Sequence, residues 1–383
     1  MTTQFPINRF CEEQTPFYYY NLELLEQTLN EIQSCCKNMP YKVHYAVKAN
    51  ANDRILSIIQ QSGIGVDCVS GGEVAASIDA GFDNKKIVFA GVGKTDKEIN
   101  LALDTDILCF NVESIPELEI INELACKKGK VADIAFRVNP NVDAHTHKYI
   151  TTGLNENKFG INLTQLPEIL KYSSTLKNIN VIGLHFHIGS QITELEPFET
   201  LCNKINELQN NLKELGFKFK IINVGGGFGV DYDNPDTNSI PDFNAYFNVF
   251  KHNLNIEEGQ EVHFELGRAI VAQCGSLITQ VTYVKKGTSK QFIITDAGMT
   301  DLIRPALYQA HHKIENITTQ ETQTEVYDVV GPICESSDCF GENEILPITK
   351  RGDLLALRTA GAYGEIMASR YNLRALPNKV YSK

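Results

Sequence analysis

The sequence predicts an α/β protein built as a (β/α)8 TIM barrel, with a C-terminal β domain that also takes in the N-terminal segment. Three observations predict it. Short β-branched or aromatic runs recur eight times along the first two-thirds of the chain, amphipathic stretches lie between most of them, and the texture changes after Leu266.

The eight runs are residues 43–47, 64–69, 87–90, 107–110, 134–138, 181–187, 221–224 and 262–266. Apolar residues repeat at three and four along 53–61, 114–128, 166–173 and 201–215, as they do on one face of a helix. Strand and helix in alternation imply parallel strands with right-handed crossovers, and eight repeats close a barrel without free edges. An open doubly wound sheet carries the same alternation. Beyond Leu266, the runs 276–284, 291–295, 325–330 and 353–359 are strand-like and separated by turn residues, and the FYYY segment at 17–20 joins them. The expected boundaries are 24–265 for the barrel, with 1–23 and 266–383 forming the β domain.

Composition narrows the function. The chain has 383 residues, 43% hydrophobic and 21% charged, which suits a globular protein of two domains. No run approaches the roughly 18 apolar residues of a membrane span. The N-terminus MTTQFPINRFCEEQTPFYYY has no basic flank followed by an apolar stretch, so a cytoplasmic location is expected. The ten cysteines are scattered, with neither CxxC pairs nor metal-ligand spacing, so reduced thiols and no metal are expected. A net charge of -12 repels phosphate backbones and argues against nucleic acid as a partner.

Barrel chemistry gathers where strands end. Lys48 follows the first run, Arg137 and Asn139 end the fifth, His185 and His187 the sixth, Gly225, Gly226 and Gly227 follow the seventh, and Glu265 and Arg268 close the eighth. A glycine run at this place suits a phosphate, although a bare triple glycine also makes a tight turn. It lacks the spacing of a dinucleotide fingerprint. Lys48 lies between an apolar strand and Ala49-Asn50, and burial there lowers an amine's pKa, as a Schiff-base lysine needs. The bland alternative is a solvated strand-end lysine. Glu265 can keep a pyridine nitrogen protonated or serve as a structural ion-pair partner. His187 can lie flat on a planar ring while Ser190 reaches a phosphate oxygen, and His185 reads equally as a satisfied core histidine.

Taken in order, these segments resemble the decarboxylases dependent on pyridoxal 5'-phosphate (PLP) that share the alanine racemase fold and handle ornithine, arginine and diaminopimelate. The pieces are YAVKAN at 45–50, DCVSGGE at 67–73, RVNPNVDAHTHKYITTGLNENKFGI at 137–161, LHFHIGSQ at 184–191, GGGFG at 225–229, ELGR at 265–268, GPICESSD at 331–338 and GAYG at 361–364. The resemblance implies that Lys48 carries the cofactor, His187 stacks on it, and Glu265 pairs with the ring nitrogen. It also implies that Gly225, Gly226, Gly227, Arg268 and Tyr363 hold the phosphate region, with Asp67, Ser190, Leu266 and Gly267 in the same cofactor site. Cys334 is the implied proton donor, reaching the site of the other subunit in a homodimer, so that each active site needs two chains.

Within that group, HTHKYITTGLNENKFGI, CESSD and the ending GAYGEIMASRYNLRALP resemble the diaminopimelate branch more than the ornithine branch. Arg268, Arg304, Tyr308, Glu335 and Tyr363 carry over as substrate contacts. The implied reaction is decarboxylation of meso-2,6-diaminopimelate to L-lysine and CO2, the last step of lysine biosynthesis. The substrate's distal end offers a carboxylate for arginine and an ammonium for glutamate. Where the family usually reads E-P-G-R, this chain has Leu266, which restores a backbone N–H and loosens φ. Three alternatives stand beside this one: a decarboxylase of ornithine, lysine or a carboxylated polyamine, a racemase, and a PLP-binding relative without activity. CESSD and GAYG argue against the racemase. The presence of both Lys48 and Cys334 argues against the inactive relative.

Overall fold

A computed structural model describes residues 5–142 and 158–382. The diaminopimelate-like stretch at 145–161 therefore lies almost wholly outside the described residues. The chain separates into two compact units. One comprises Leu29–Gly229 and Asp242–Gly267, and the other comprises the N-terminal segment through Thr28, Val230–Pro241 and the chain from Arg268 onward. Val230–Pro241, inside the 24–265 range expected for the barrel, groups with the second unit.

In the first unit the strands Tyr41–Ala46, Gly65–Cys68, Ile87–Phe89, Cys109–Val112, Ala132–Asn139, Ile179–His185, Ile221–Asn223 and Glu261–Leu266 pair in parallel with their sequence neighbours. The last pairs with the first, Val262 opposite Tyr41 and Glu265 opposite His44, so the eight strands close the barrel that the alternation implied. An added two-residue strand, Ile161–Asn162, pairs with Ala132–Asn139.

Local chemistry sets the helix starts. Asn52 accepts from the N–H groups of Arg54 and Ile55 ahead of Asp53–Gln61, Ser70 caps Gly71–Asp79, and Ser114 caps Ile115–Lys127. Thr95 and Glu98 form a capping box that opens Asp96–Thr105. The helix expected over 201–215 begins earlier, at Glu196, because Pro197 fits a first turn and Phe198 extends the buried face. The sixth strand stops at His185 rather than 187. The Phe186 N–H still reaches the Asn223 carbonyl at 2.8 Å, and the ladder ends there. Helix Phe243–Asn253 is aromatic-rich, and its Tyr246 packs on Phe228 at 4.5 Å and on Phe198 at 5.0 Å between ring centroids.

The second unit holds a mixed sheet of eight strands ordered Ile314–Asn316, Leu354–Leu357, Gly275–Lys286, Gln291–Thr295, Thr324–Val330 and Cys339–Pro347, with Phe17–Tyr20 added beside Gly275–Lys286 and Asn378–Tyr381 beside Phe17–Tyr20. Phe17–Tyr20 pairs antiparallel to Gly275–Lys286 and parallel to Asn378–Tyr381, so the N-terminal segment is a strand of this unit. All four of its residues are buried. Phe17 and Tyr19 join Phe10, Ile278, Leu354, Ala356 and Val380 in one core cluster.

Among the described residues, no helix is long and apolar enough to cross a membrane, and no group of three or more His, Cys, Asp or Glu is placed to hold a metal ion. All ten cysteines are free thiols.

Candidate active site

The C-terminal ends of the barrel strands bring together buried polar groups from five positions around the ring. Lys48 sits in the turn Val47–Ala49 that leaves the first strand, and its Nζ meets Asp67 Oδ2 of the second at 2.9 Å. Glu265, on the eighth strand, accepts from Asn111 Nδ2 at 3.0 Å and Asn223 Nδ2 at 2.7 Å through Oε1. Its Oε2 stands 2.9 Å from His185 Nε2. Asp67, Asn111, His185, Asn223 and Glu265 are all buried.

A dry carboxylate normally takes up a proton. Burial does push Glu265 upward, but the charge and hydrogen bond of His185, then Lys48 and His187, more than offset it and hold the group well below the carboxylate range. Asp67 goes the other way. Burial, then the charge of Glu265, raise it to about 6 against the pull of Lys48. Two buried polar atoms, Asp67 Oδ1 and His185 Nδ1, have no hydrogen-bond partner among the described residues.

The glycine run packs against this cluster. A side chain on Gly225 would strike the Phe186 carbonyl, and one on Gly226 would strike the carbonyl of Glu265 itself. Gly225 and Gly227 take φ of 74° and 101°, open to glycine at no steric cost. The Gly226 N–H donates to His187 Nδ1 at 3.3 Å, which leaves the ring hydrogen on Nε2. Burial, then the charges of Arg137 and Lys48, hold His187 well below its ordinary pKa, so it is a flat neutral ring. Ser190 lies just beyond, partly buried, and Leu266 and Gly267 close the eighth strand. Arg137 is bonded to Glu113 at 3.0 Å and stacks on Phe159, which fixes the charge that acts on His187.

The second unit holds the other expected residues in two places. Arg268 and Arg304 are both buried, and each donates from Nη1 to the hydroxyl oxygen of Tyr232 at 2.6 Å. The Arg268 guanidinium also lies 5.0 Å from the Tyr363 ring centre, and Tyr308 ends the short helix Arg304–Tyr308 that Arg304 begins. Cys334 and Glu335 are exposed on the turn after Thr324–Val330. The Glu335 carboxylate accepts from Tyr371 OH at 2.7 Å, and the Cys334 N–H donates to Asn372 Oδ1 at 3.4 Å. The buried member of that motif is Asp338, which accepts from the N–H groups of Met299 and Ile333, each at 2.6 Å, and so fixes the turn that displays them.

Sequence reasoning missed Asn111, Asn223, Tyr232 and Asp338. The first two carried a readable signal: a lone amide inside an otherwise apolar strand, in CFNV and IIN, has to spend its hydrogen bonds inward.

These groups fit PLP. A buried carboxylate kept ionised by three donors suits a protonated pyridine nitrogen, a neutral imidazole offers a ring face, and a backbone stripped of side chains admits a phosphate. Lys48 supplies the amine in the same electrostatic cluster.

Residues 22–272 match the family model described as pyridoxal-dependent decarboxylase, pyridoxal binding domain. The chain is 60% identical over 374 residues to a diaminopimelate decarboxylase of Bacteroides thetaiotaomicron, covering 97% of each. It is 44% identical to one from Haemophilus influenzae, covering 97% of this chain and 89% of that one. A crystal structure of diaminopimelate decarboxylase from Helicobacter pylori complexed with L-lysine superposes with a TM-score of 0.93 at 40% identity, covering 98% of this chain and 94% of that one.

Proposed function

The chain belongs to the diaminopimelate decarboxylases of the pyridoxal-dependent decarboxylase family, and from that premise we propose the part each of its residues plays in converting meso-2,6-diaminopimelate to L-lysine and CO2. When bound, PLP supplies an electron sink for the pair left at Cα as CO2 departs.

Lys48 holds the cofactor covalently through Nζ, and Asp67 orients that nitrogen when it is a free amine. Glu265 holds a proton on the ring nitrogen, and Asn111, Asn223 and His185 keep its carboxylate ionised to do so. His187 covers one ring face. Gly225, Gly226 and Gly227, with Ser190, Leu266, Gly267, Arg268 and Tyr363, hold the phosphate end. Arg268 and Arg304, with Tyr308 and Tyr363, receive the distal carboxylate, and Glu335 receives the distal ammonium.

Cys334 returns a proton to Cα from its Sγ. Its exposed position supports a homodimer in which this thiol and Glu335 serve the partner's site. Ten free thiols support a reducing, cytoplasmic setting.

The observation that carries the reading is the Glu265 carboxylate, buried and bonded to Asn111, Asn223 and His185 in one cluster with Lys48. The test supplies meso-diaminopimelate, lysine and ornithine separately to the PLP-loaded enzyme and identifies the products. Lysine and CO2 from diaminopimelate alone are expected. A diamine released from ornithine or lysine at a comparable rate would overturn the assignment.

A further inference from the structure

Tyr232 is an unusual meeting point. Its hydroxyl oxygen accepts one N–H from Arg268 and one from Arg304, each at 2.6 Å, and both guanidiniums are buried. Arg304 Nη1 also lies 3.3 Å from His312 Nε2. His312 Nδ1 lies 2.9 Å from the Arg358 carbonyl, and a carbonyl only accepts, so Nδ1 carries the hydrogen and Nε2 is an acceptor. Burial, then the charge of Arg304, lower His312 to about 3, so the ring is neutral and brings no positive charge of its own. It packs edge-on against Tyr232, 5.1 Å between ring centres at 83°, which fixes the phenol in place.

Among the described residues no carboxylate forms an ion pair with Arg304. A carboxylate at the place of the phenol would neutralise the two guanidiniums and use up their forks. A phenol orients both guanidiniums through one oxygen without cancelling their charge.

We propose that Tyr232 is a positioning residue for substrate selection: its hydroxyl holds Arg268 and Arg304 side by side to grip the carboxylate that diaminopimelate and L-lysine share and that a simple diamine lacks. This rests on the reading that the two arginines receive the distal carboxylate. Tyr232 touches neither the reacting carbon nor the scissile bond and acts only through the guanidiniums. Two charged donors held in register discriminate a carboxylate from a hydrogen atom far better than two donors free to swing, since the ordering entropy is spent before binding.

The test measures competitive inhibition of the PLP-loaded enzyme by L-lysine and by 1,5-diaminopentane, which differ only in that carboxylate. In Tyr232→Phe, lysine is expected to weaken by about tenfold or more, the size of one charge-assisted hydrogen bond. The KM for diaminopimelate should rise with it, while kcat and diaminopentane binding stay within about twofold. Tyr232→Gln, whose amide oxygen accepts the same two bonds, should recover part of the lost lysine affinity.

Equal weakening of both inhibitors, or unchanged lysine binding, overturns the proposal. Arg304→Ala separates the two levels. If it weakens lysine while Tyr232→Phe does not, only the positioning role falls, and if it leaves lysine unchanged, the carboxylate reading falls as well. Should the Phe variant fail to fold, Tyr232→Gln against Tyr232→Met repeats the comparison with and without the accepting oxygen, and equal lysine affinities in that pair overturn the proposal.

Discussion

Adding one methyl group at Gly226 tests the cofactor cradle directly. The Cβ of alanine would overlap the carbonyl oxygen of Glu265, well inside the 3.0 Å that real Cβ atoms respect, and the obstacle is backbone, so no rotamer change relieves it. The glycine run and the end of the eighth strand must part by about 1 Å to reach that limit. Overpacking of this kind costs about 1–3 kcal/mol of stability. The larger effect is on function. The carbonyl that moves belongs to the residue proposed to hold the ring nitrogen, and a misplacement of about 1 Å costs on the order of 100-fold in rate. Gly226→Ala is therefore expected to lose about two orders of magnitude in kcat/KM, to bind PLP more weakly on titration of the apoprotein, and to melt a few degrees lower. Gly72→Ala is the control, since its Cβ meets nothing nearer than Ser70 Oγ at 3.7 Å and alanine favours the helix. If Gly226→Ala kept kcat/KM and PLP affinity within about threefold of the parent, the cradle would not be where the glycines put it.

Lys48→Ala should abolish both the visible absorbance of covalently held cofactor and turnover, read in one spectrum and one CO2 assay, and survival of either would count against Lys48 as the attachment point. Cys334→Ala should keep that spectrum and lose most of the rate, with mixtures of Cys334→Ala and Lys48→Ala chains regaining activity if the thiol serves the partner's site. The buried His44 gives a pH test of the barrel itself. Burial, then the neighbouring His263 at 2.9 Å, lower its pKa from 6.5 to about 3, so its stabilising contribution is full above pH 6.5 and drains as pH falls toward 3. Denaturant unfolding of the parent and of His44→Gln at pH 7 and pH 4.5 should show the parent's advantage shrinking by about 3 kcal/mol, two pH units of linkage. A gap that does not change with pH would show that His44 is not neutral when folded.

The barrel was legible because its two periodicities are strong: β-branched strands buried on both faces and helices with one apolar stripe each. What escaped followed from composition that hides the period. Helix Phe243–Asn253, FNAYFNVFKHN, places aromatic rings and asparagines where an amphipathic stripe would be sought, and its Asp242 cap is the clearer sign. Asp96–Thr105 is short and polar and declares itself through the Thr95–Glu98 capping box instead. Strand Cys339–Pro347, CFGENEILP, is interrupted by Gly341 and Asn343 and is held by its ladder to Thr324–Val330 rather than by its own propensity.

The site was legible in a different way, and its gaps have one physical cause. Motif reading finds side chains that meet ligand, because a given chemical role imposes its own local spacing, as with a lysine after a strand, a glycine run, or a carboxylate beside an arginine. It does not find the groups that hold those side chains in place. Glu265 is fixed through Oε1 by Asn111 and Asn223, which arrive from strands 154 and 42 residues away in the chain. Tyr232 reaches Arg304 across 72 residues. Such partners obey no local spacing, since the barrel closure and the segment Val230–Pro241 decide who meets whom. The motif ELGR makes the same point within four residues: Glu265 ends a barrel strand, Arg268 opens the next helix in the other unit, and the unit boundary falls between Gly267 and Arg268. Its fixed spacing supplies one charge to each unit, so the Leu266 substitution is tolerable only while it keeps the strand in register. That register holds, with Leu266 opposite Tyr45 and buried.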